Sequence, residues 1–441
     1  MKKEKYFVCN DCGFESQKWF AKCPSCNSIG SAVEFAADID SIHSEDISAS
    51  EIKRLDDNVK VPERIVINNN EINSFMNGGL VKGAVYILSG EPGIGKSTFV
   101  SQLIDMISKS TLYISGEESS DQVLRRFKRM NIKNKNIGFV FETNVEKIIN
   151  ILEKEKNNFD IVVIDSVQTL RSGDSDSLPG SVLQVRESSR KLTEYVKENN
   201  ISLIMIGHVN KEGAIAGPKI LEHMVDCVLQ LELEKSSGLR LLRVTKNRYG
   251  STDEVVLFEM TQTGLNIIED ISKYFISEYS NEPGNVICII KEGNKLFPIE
   301  IQALVSNPVY GSPRRVTSGI PIDRLNMITA VLSKKLKLPV ENKDIFINSS
   351  GGIKFNDSSA DLAIAFSVIS SLLDIKTEKP AVCFGEVGLD GNIRNINLLE
   401  KRIDFSKRLG FELIISPDSS GKFDVYRANN IRDLLRLFEG E

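Results

Sequence analysis

Seven apolar runs of strand length recur through the middle of the chain, separated by stretches with helical periodicity. They are Val85–Ser89, Leu112–Ser115, Gly138–Phe141, Ile161–Asp165, Leu203–Gly207, Cys227–Leu233 and Leu239–Thr245. Continuous Val/Ile/Leu-rich runs of this kind predict strands buried on both faces, as in a mostly parallel sheet. After the first run, Ser97–Ser108 puts Phe99, Val100, Leu103, Ile104 and Ile107 on one helical face. The alternation of strand and helix over 61–272 therefore predicts an α/β domain. Its flanks differ from it. Residues 1–35 form a compact cysteine-rich unit, and 36–60 are acidic and serine-rich with little apolar periodicity, the pattern of a linker. Past a boundary at Tyr274–Glu282, a second α/β pattern occupies 283–441.

The turn between the first strand and the first helix carries chemistry. Gly90, Glu91, Pro92, Gly93, Ile94, Gly95, Lys96, Ser97 and Thr98 spell a G-x-x-x-x-G-K-[ST] phosphate loop. Its glycines let backbone N–H groups approach phosphate oxygens, and the following helix N-terminus adds a favourable field. Lys96 is expected on the β- and γ-phosphates of ATP, and Ser97 on Mg²⁺ through its hydroxyl.

Other strand ends add candidates. Phe159–Asp165 is an apolar strand closing on a carboxylate, so Asp165 is a candidate to hold Mg²⁺ through a metal-bound water, the Walker-B role. Tyr113-Ile-Ser-Gly-Glu117-Glu118 ends a neighbouring strand, and either glutamate could orient the attacking water, Glu117 before Glu118. The run from Leu203 closes on His208 and Asn210, either of which could sense the γ-phosphate.

Four of the seven cysteines lie near the start. Cys9-x-x-Cys12 and Cys23-x-x-Cys26 are separated by ten residues. Two such hairpins can close a tetrahedral thiolate shell with no open position, which suits structural zinc. Trp19, Phe20 and Lys22 between them could contact a partner or pack a very small core. Cys227, Cys288 and Cys383 sit in apolar runs and read as buried thiols.

Composition adds bounds. A chain of 441 residues exceeds one ordinary domain, and 41% hydrophobic content supports full cores. No run of 18 apolar residues appears, and no apolar signal core follows the charged N-terminus, so a cytoplasmic protein is expected. A net charge of −5 neither suggests nor excludes nucleic acid, because local patches bind it.

The strand order, the Ser-Gly-Glu-Glu-Ser segment and the His208 strand tip resemble the RecA-type ATPase core. Lys246-Asn-Arg-Tyr-Gly250 is more specific. It resembles the KNRFG signature of the bacterial RadA (Sms) family, with Tyr249 in place of the usual Phe. The resemblance covers nearly the whole chain. It implies a four-cysteine zinc finger, a RecA-like ATPase and a Lon-protease-like domain, in that order. It also implies a DNA-dependent ATPase, motor-like in the manner of a helicase, that acts on branched recombination intermediates. A homo-hexameric ring, binding to single-stranded DNA and a functional link to the RecA recombinase belong to the same expectation.

Within that frame, Lys246 and Arg248 could reach a neighbouring subunit's γ-phosphate or a DNA backbone. The loops at 172–181 and 210–219 fall where RecA-like rings line their DNA path, which makes Lys211, Lys219, Arg186 and Arg190 the available cations. Arg314 and Arg315 are further candidate phosphate contacts. In the Lon-like domain, Ser359 of Asp357-Ser-Ser-Ala-Asp361 falls at the nucleophile position. Spacing from Gly385–Gly391 puts Glu400 at the position of the catalytic lysine, which predicts a domain without peptidase activity. Two rival readings are an ATP-dependent protease and a nucleotide-gated DNA clamp that does not translocate.

The cysteine spacing yields a direct test. Elemental analysis should find about one zinc per chain. Cys9→Ser should release it and unfold residues 1–35 alone. Stoichiometric zinc retained after both Cys9 and Cys26 are replaced would refute the site.

Overall fold

The computed structural model describes residues 4–9, 14–25, 27–37, 61–155, 158–173, 178–208, 220–234, 238–269, 276, 279–308, 311–350, 354–418 and 421–439. Cys12, Cys26, Asn210, Lys211 and Lys219 lie outside the described residues. By contacts the chain forms two compact units, one of 1–233 with 240–267 and one of 234–239 with 268–441.

At the N-terminus, β1 (Glu4–Cys9) pairs antiparallel with β2 (Glu15–Ser16) and β3 (Ala32–Ala37), with Cys9 opposite Ala32. A short antiparallel pair, β4 (Arg64–Ile65) and β5 (Leu80–Val81), then leads into the main sheet.

That sheet has nine strands: β6 (Val85–Gly90), β7 (Thr111–Ser115), β8 (Ile137–Phe141), β9 (Ile161–Asp165), β10 (Ser202–His208), β11 (Cys227–Leu233), β12 (Arg240–Asn247), β13 (Val255–Thr261) and β14 (Gly264–Ile267). Their order is β14-β13-β12-β11-β6-β10-β9-β7-β8. The six strands from β11 to β8 run parallel, and β12, β13 and β14 extend the sheet antiparallel. All seven sequence-predicted strands are present. β13 and β14 were not foreseen, because their mixed ends, such as Glu259 and Asn266, break the apolar run that marks a doubly buried strand.

Alternation along β6 divides the core. Tyr86 and Leu88 pack on one face with Phe99, Leu103 and Ile104 of the Lys96–Ile107 helix. Val85 and Ile87 pack on the other with Leu192 and Val196 of the Val182–Glu198 helix. Period-two alternation thus feeds two apolar layers, each covered by helices, and each fully buried Leu or Ile contributes about 1.5–3 kcal/mol.

Register positions the site. Gly90 lies opposite His208, Asp165 opposite Ile206, and Ser115 opposite Asp165. The strand ends are therefore stepped: β9 and β7 end level with each other, two residues short of β6 and β10, and all four open at the carboxyl edge of the sheet. β12 runs the other way: Asn247 pairs with Cys227, which pairs with Tyr86 at the start of β6. The segment from Lys246 to Gly250 accordingly leaves the sheet at its amino edge.

The C-terminal unit is built from β15 (Asn285–Glu292), β16 (Lys295–Ser306), β17 (Arg315–Ser318), β18 (Asp344–Ser349), β19 (Ala381–Cys383), β20 (Glu386–Val387), β21 (Ile393–Arg394), β22 (Leu413–Ser416) and β23 (Tyr426–Arg427). Seven of them form a mixed sheet in the order β17-β18-β16-β15-β19-β22-β23, and β20 pairs with β21. The Asp361–Leu373 helix is its apolar centre, buried from Asp361 through Ser370.

Ser359 sits in the turn before that helix and is fully buried. The expectation for Glu400 is corrected here. Glu400 is exposed, and the side chain that meets Ser359 is Arg402, whose Nη1 donates to Ser359 Oγ at 2.7 Å. One helical turn explains the error, because Leu399–Arg408 begins just before Glu400 and turns Arg402 inward. Arg402 also donates to Asp357 Oδ2 at 2.9 Å, to Asn397 O at 3.1 Å and to Ile289 O. Burial pushes the Asp357 carboxyl up, but Arg402 and the Lys291 and Ser359 N–H groups outweigh it and hold the carboxyl below the usual range.

Arg402→Leu would leave Asp357 without its cation in a closed setting, so the unfolding free energy of the C-terminal unit should fall by about 3–5 kcal/mol. Urea titration followed by a probe in that unit checks this. A fall below about 1 kcal/mol would show that the cluster does not hold the unit together.

Candidate nucleotide site

The phosphate loop spans from the end of β6 to the first turn of the Lys96–Ile107 helix. Gly95 has φ of +115°, a backbone conformation that residues with a Cβ rarely adopt, so the turn favours glycine there. Lys96 is 4% exposed. Its Nζ donates to Gly90 O at 2.9 Å and to Glu91 O at 2.9 Å, and lies 3.0 Å from His208 Nδ1. Burial lowers its pKa to about 8, while Asp165 and Glu117 pull it back upward. Pro92, Gly93, Ile94, Ser97 and Thr98 complete the loop, with Ile94 buried beneath it.

The neighbouring strand ends converge on Lys96. Asp165 closes β9 and is 7% exposed. Tyr113 Oη donates to Asp165 Oδ2 at 2.5 Å, and Arg126 Nη2 lies 3.7 Å from the same oxygen. Ser166, joined to Asp165 by a cis peptide, donates its hydroxyl to Glu117 Oε1 at 2.5 Å. His208 Nε2 lies 3.4 Å from that Glu117 oxygen. Glu118 turns aside to pair with Arg126. Of the two glutamates, Glu117 is the one that faces the phosphate loop.

These residues form a hard-oxygen donor set beside an anion-binding loop. Ser97 Oγ and the Asp165 carboxylate suit Mg²⁺, and the loop with Lys96 suits a nucleoside triphosphate. Sequence reasoning missed Tyr113, Arg126, Ser166 and Gln168, whose Nε2 donates to His208 O at 3.4 Å. Tyr113 reads as core within an apolar strand, and Arg126 reads as one of several cations on a polar helix. No local motif marks either.

Lys246 and Arg248 lie elsewhere. β6 separates the amino edge from the phosphate loop by roughly 17 Å of strand, beyond the reach of either side chain. Neither residue serves the loop of its own chain. Lys246 Nζ donates to Val225 O at 2.8 Å and to Glu222 O, the carbonyl end of a short helix. Arg248 Nη1 donates to Asp226 Oδ1 at 3.2 Å, yet its side chain remains 53% exposed. Lys197 Nζ approaches the same oxygen at 3.1 Å, and Asp226 Oδ2 accepts from Val85 N at 3.0 Å. Tyr249 packs against the core, and a Cβ on Gly250 would meet Asn77 Cγ at 2.4 Å.

The remaining candidate cations are mostly engaged. Arg190 pairs with Glu187 at 3.2 Å and Glu194 at 2.8 Å. Arg314 donates to Asp344 at 3.3 and 3.0 Å, and Arg315 to Val340 O at 3.3 Å. At the N-terminus, Cys9 and Cys23 are buried and begin turns built alike: Cys9 N donates to Phe14 O and Cys23 N to Ser28 O, each at 2.8 Å. Cys12 and Cys26, which would complete a four-thiolate shell with them, lie outside the described residues.

A mostly parallel sheet with a phosphate loop, a strand-end aspartate and a glutamate just past the end of the adjacent strand defines a P-loop ATPase core of the RecA type. Family models agree by region: "Rubredoxin metal binding domain" matches 7–34, "AAA domain" 50–214, and "Subunit ChlI of Mg-chelatase" 293–420. The protein called "DNA repair protein RadA" in Aquifex aeolicus is 41% identical over 443 residues, covering 99% of each chain. Those of Bacillus subtilis and Listeria monocytogenes are 39% and 38% identical, covering 94% and 95% of this chain and 93% of each relative. The chain belongs to the RadA family. A KaiC-like protein from Pyrococcus horikoshii OT3 is similar at a TM-score of 0.40 and 19% identity, over 47% of this chain and 100% of its own. Among the described residues, no helix is long and apolar enough to cross a membrane.

The low Lys96 pKa predicts a pH dependence. Phosphate binding needs the ammonium form, so above about pH 8 the lysine must take up a proton to bind. Nucleotide affinity should then weaken with rising pH, by up to about tenfold per unit. Calorimetry at pH 7 and pH 9 checks it, and equal Kd values would contradict the assignment.

Proposed function

We propose that this protein is a DNA-dependent ATPase of recombinational DNA repair. It hydrolyses ATP at the subunit interfaces of a ring, a hexamer by resemblance, and uses the cycle to remodel branched DNA intermediates. The observation that carries this reading is the division of functional groups between the two edges of one sheet. Lys96, Glu117, Asp165 and His208 gather at the carboxyl edge, and Lys246 and Arg248 gather at the amino edge. A ring that stacks one subunit's amino edge on the next subunit's carboxyl edge would unite them. Relatives that carry the name "DNA repair protein RadA" support the pathway.

In this reading, Lys96 leaves the loop carbonyls for the β- and γ-phosphate oxygens. Glu117, held by Ser166 and His208, orients water in line with the γ-phosphorus. Ser97 and Asp165 would hold Mg²⁺, which supplies positive charge to the phosphate oxygens during transfer. Arg248, whose half-exposed side chain donates to Asp226 Oδ1 through Nη1, swings to the neighbour's γ-phosphate as charge develops there. Lys246, committed to backbone carbonyls, fixes the turn from which Arg248 projects. DNA contact is assigned to the central loops that include Lys211 and Lys219. Zinc held by Cys9, Cys12, Cys23 and Cys26 shapes a small N-terminal module.

The protease alternative loses support at Ser359. Its hydroxyl faces Arg402, and a guanidinium cannot accept the proton that a serine nucleophile must lose. The domain serves as a scaffold in this account.

Complementation tests the divided site. Arg248→Ala should bind ATP normally and hydrolyse it at least ~100-fold more slowly, the scale of a lost transition-state charge. Lys96→Ala should also be inactive. Rings mixed from the two should regain part of the turnover, because some interfaces pair an intact loop with an intact arginine. No recovery in demonstrably mixed rings would remove Arg248 from the site and favour its contact with DNA.

A further inference from the structure

Asp165 has two oxygens, and the structure treats them differently. Oδ2 accepts from Tyr113 Oη at 2.5 Å and faces Arg126 Nη2 at 3.7 Å. Arg126 Nη2 also donates to Tyr113 Oη at 2.9 Å, so the guanidinium, the phenol and the carboxylate form one connected chain. The other arm of the same guanidinium, Nη1, holds Glu118. Tyr113 is fully buried, packed edge-on against Phe127 and tilted against Phe139, so its hydroxyl has little freedom to move.

Two consequences follow for the nucleotide centre. A carboxylate pinned through Oδ2 has a fixed plane, and Oδ1 is left as the oxygen that meets a metal ion. Without Arg126, Glu118 would lose its cation, leaving one more uncompensated negative charge next to Glu117 in a site that must bind a triphosphate. Arg126 therefore supplies one positive charge between two negative ones and draws Glu118 off the phosphate loop.

We propose that Tyr113 and Arg126 are positioning residues for the metal ion of the nucleotide centre, fixing Asp165 through Oδ2 and withdrawing Glu118 so that Oδ1 and Ser97 face the cation. Neither touches nucleotide or metal; both act through Asp165. The inference rests on the nucleotide-site reading above.

Manganese binding tests it without reference to turnover. Mn²⁺ is titrated into the full-length protein in the presence of ADP, and free Mn²⁺ is read by electron paramagnetic resonance. Tyr113→Phe removes only the hydroxyl, and Arg126→Gln removes the charge. Each should raise the half-saturating Mn²⁺ concentration by roughly tenfold, the low end for groups that orient a metal ligand. ADP affinity in the absence of metal should stay within about twofold of wild type, since the loop and Lys96 are intact. If Tyr113→Phe does not fold, Arg126→Gln on its partly exposed helix carries the same expectation. Arg126→Lys, which keeps the charge but not the fork, should recover part of the loss. Wild-type Mn²⁺ affinity in the variants, with or without a lower thermal midpoint, would reduce the network to a structural role and overturn the inference. Failure of the wild-type protein to bind ADP at all would overturn the nucleotide-site reading and this inference with it.

Discussion

Parallel register between β6, β10, β9 and β7 is the constraint on which the rest depends. Gly90, His208 and Asp165 close β6, β10 and β9, Glu117 follows just past the end of β7, and hydrogen bonding between the strands fixes their relative heights. A one-residue slip in any strand would turn its side chains to the opposite face and remove its contribution. The apolar layers that lock the register are the two cores on either side of the sheet. Packing and catalytic geometry are thus one property of the molecule. Lys96 illustrates it: the same burial that seats it under the loop also lowers its pKa to about 8.

The amino edge has its own organiser. Asp226 is 1% exposed, and it receives Arg248, Lys197 and the Val85 N–H at once. Two cations compensate one buried carboxylate, so the charge stays paired when one of them leaves. Lys197 makes the release of Arg248 tolerable in the proposed cycle. The Val85 N–H ties this cluster to the first residue of the strand that ends in the phosphate loop. One strand therefore carries both halves of the proposed interface.

Much of this is legible in the sequence alone, and the reason is physical. Doubly buried parallel strands have unbroken apolar sequences, and a phosphate loop needs glycines at fixed places, so both leave local signatures. What stayed hidden depends on partners far apart in the chain. Tyr113 looks like core until Asp165, fifty-two residues later, is seen to accept its hydroxyl. Arg402 was missed because motif spacing put Glu400 at the base position, whereas the helix phase turns Arg402 toward Ser359. Lys246 and Arg248 were recognisable as a motif, but their distance from their own phosphate loop follows only from the antiparallel turn of β12.

The central claim is that one chain alone holds an incomplete ATPase site. Turnover per chain, measured with single-stranded DNA across a dilution series and paired with sedimentation of the same samples, tests it most directly. The account predicts that activity per chain collapses as the assembly dissociates, while ATP binding per chain persists. Undiminished turnover at concentrations where the protein sediments as a monomer would contradict it.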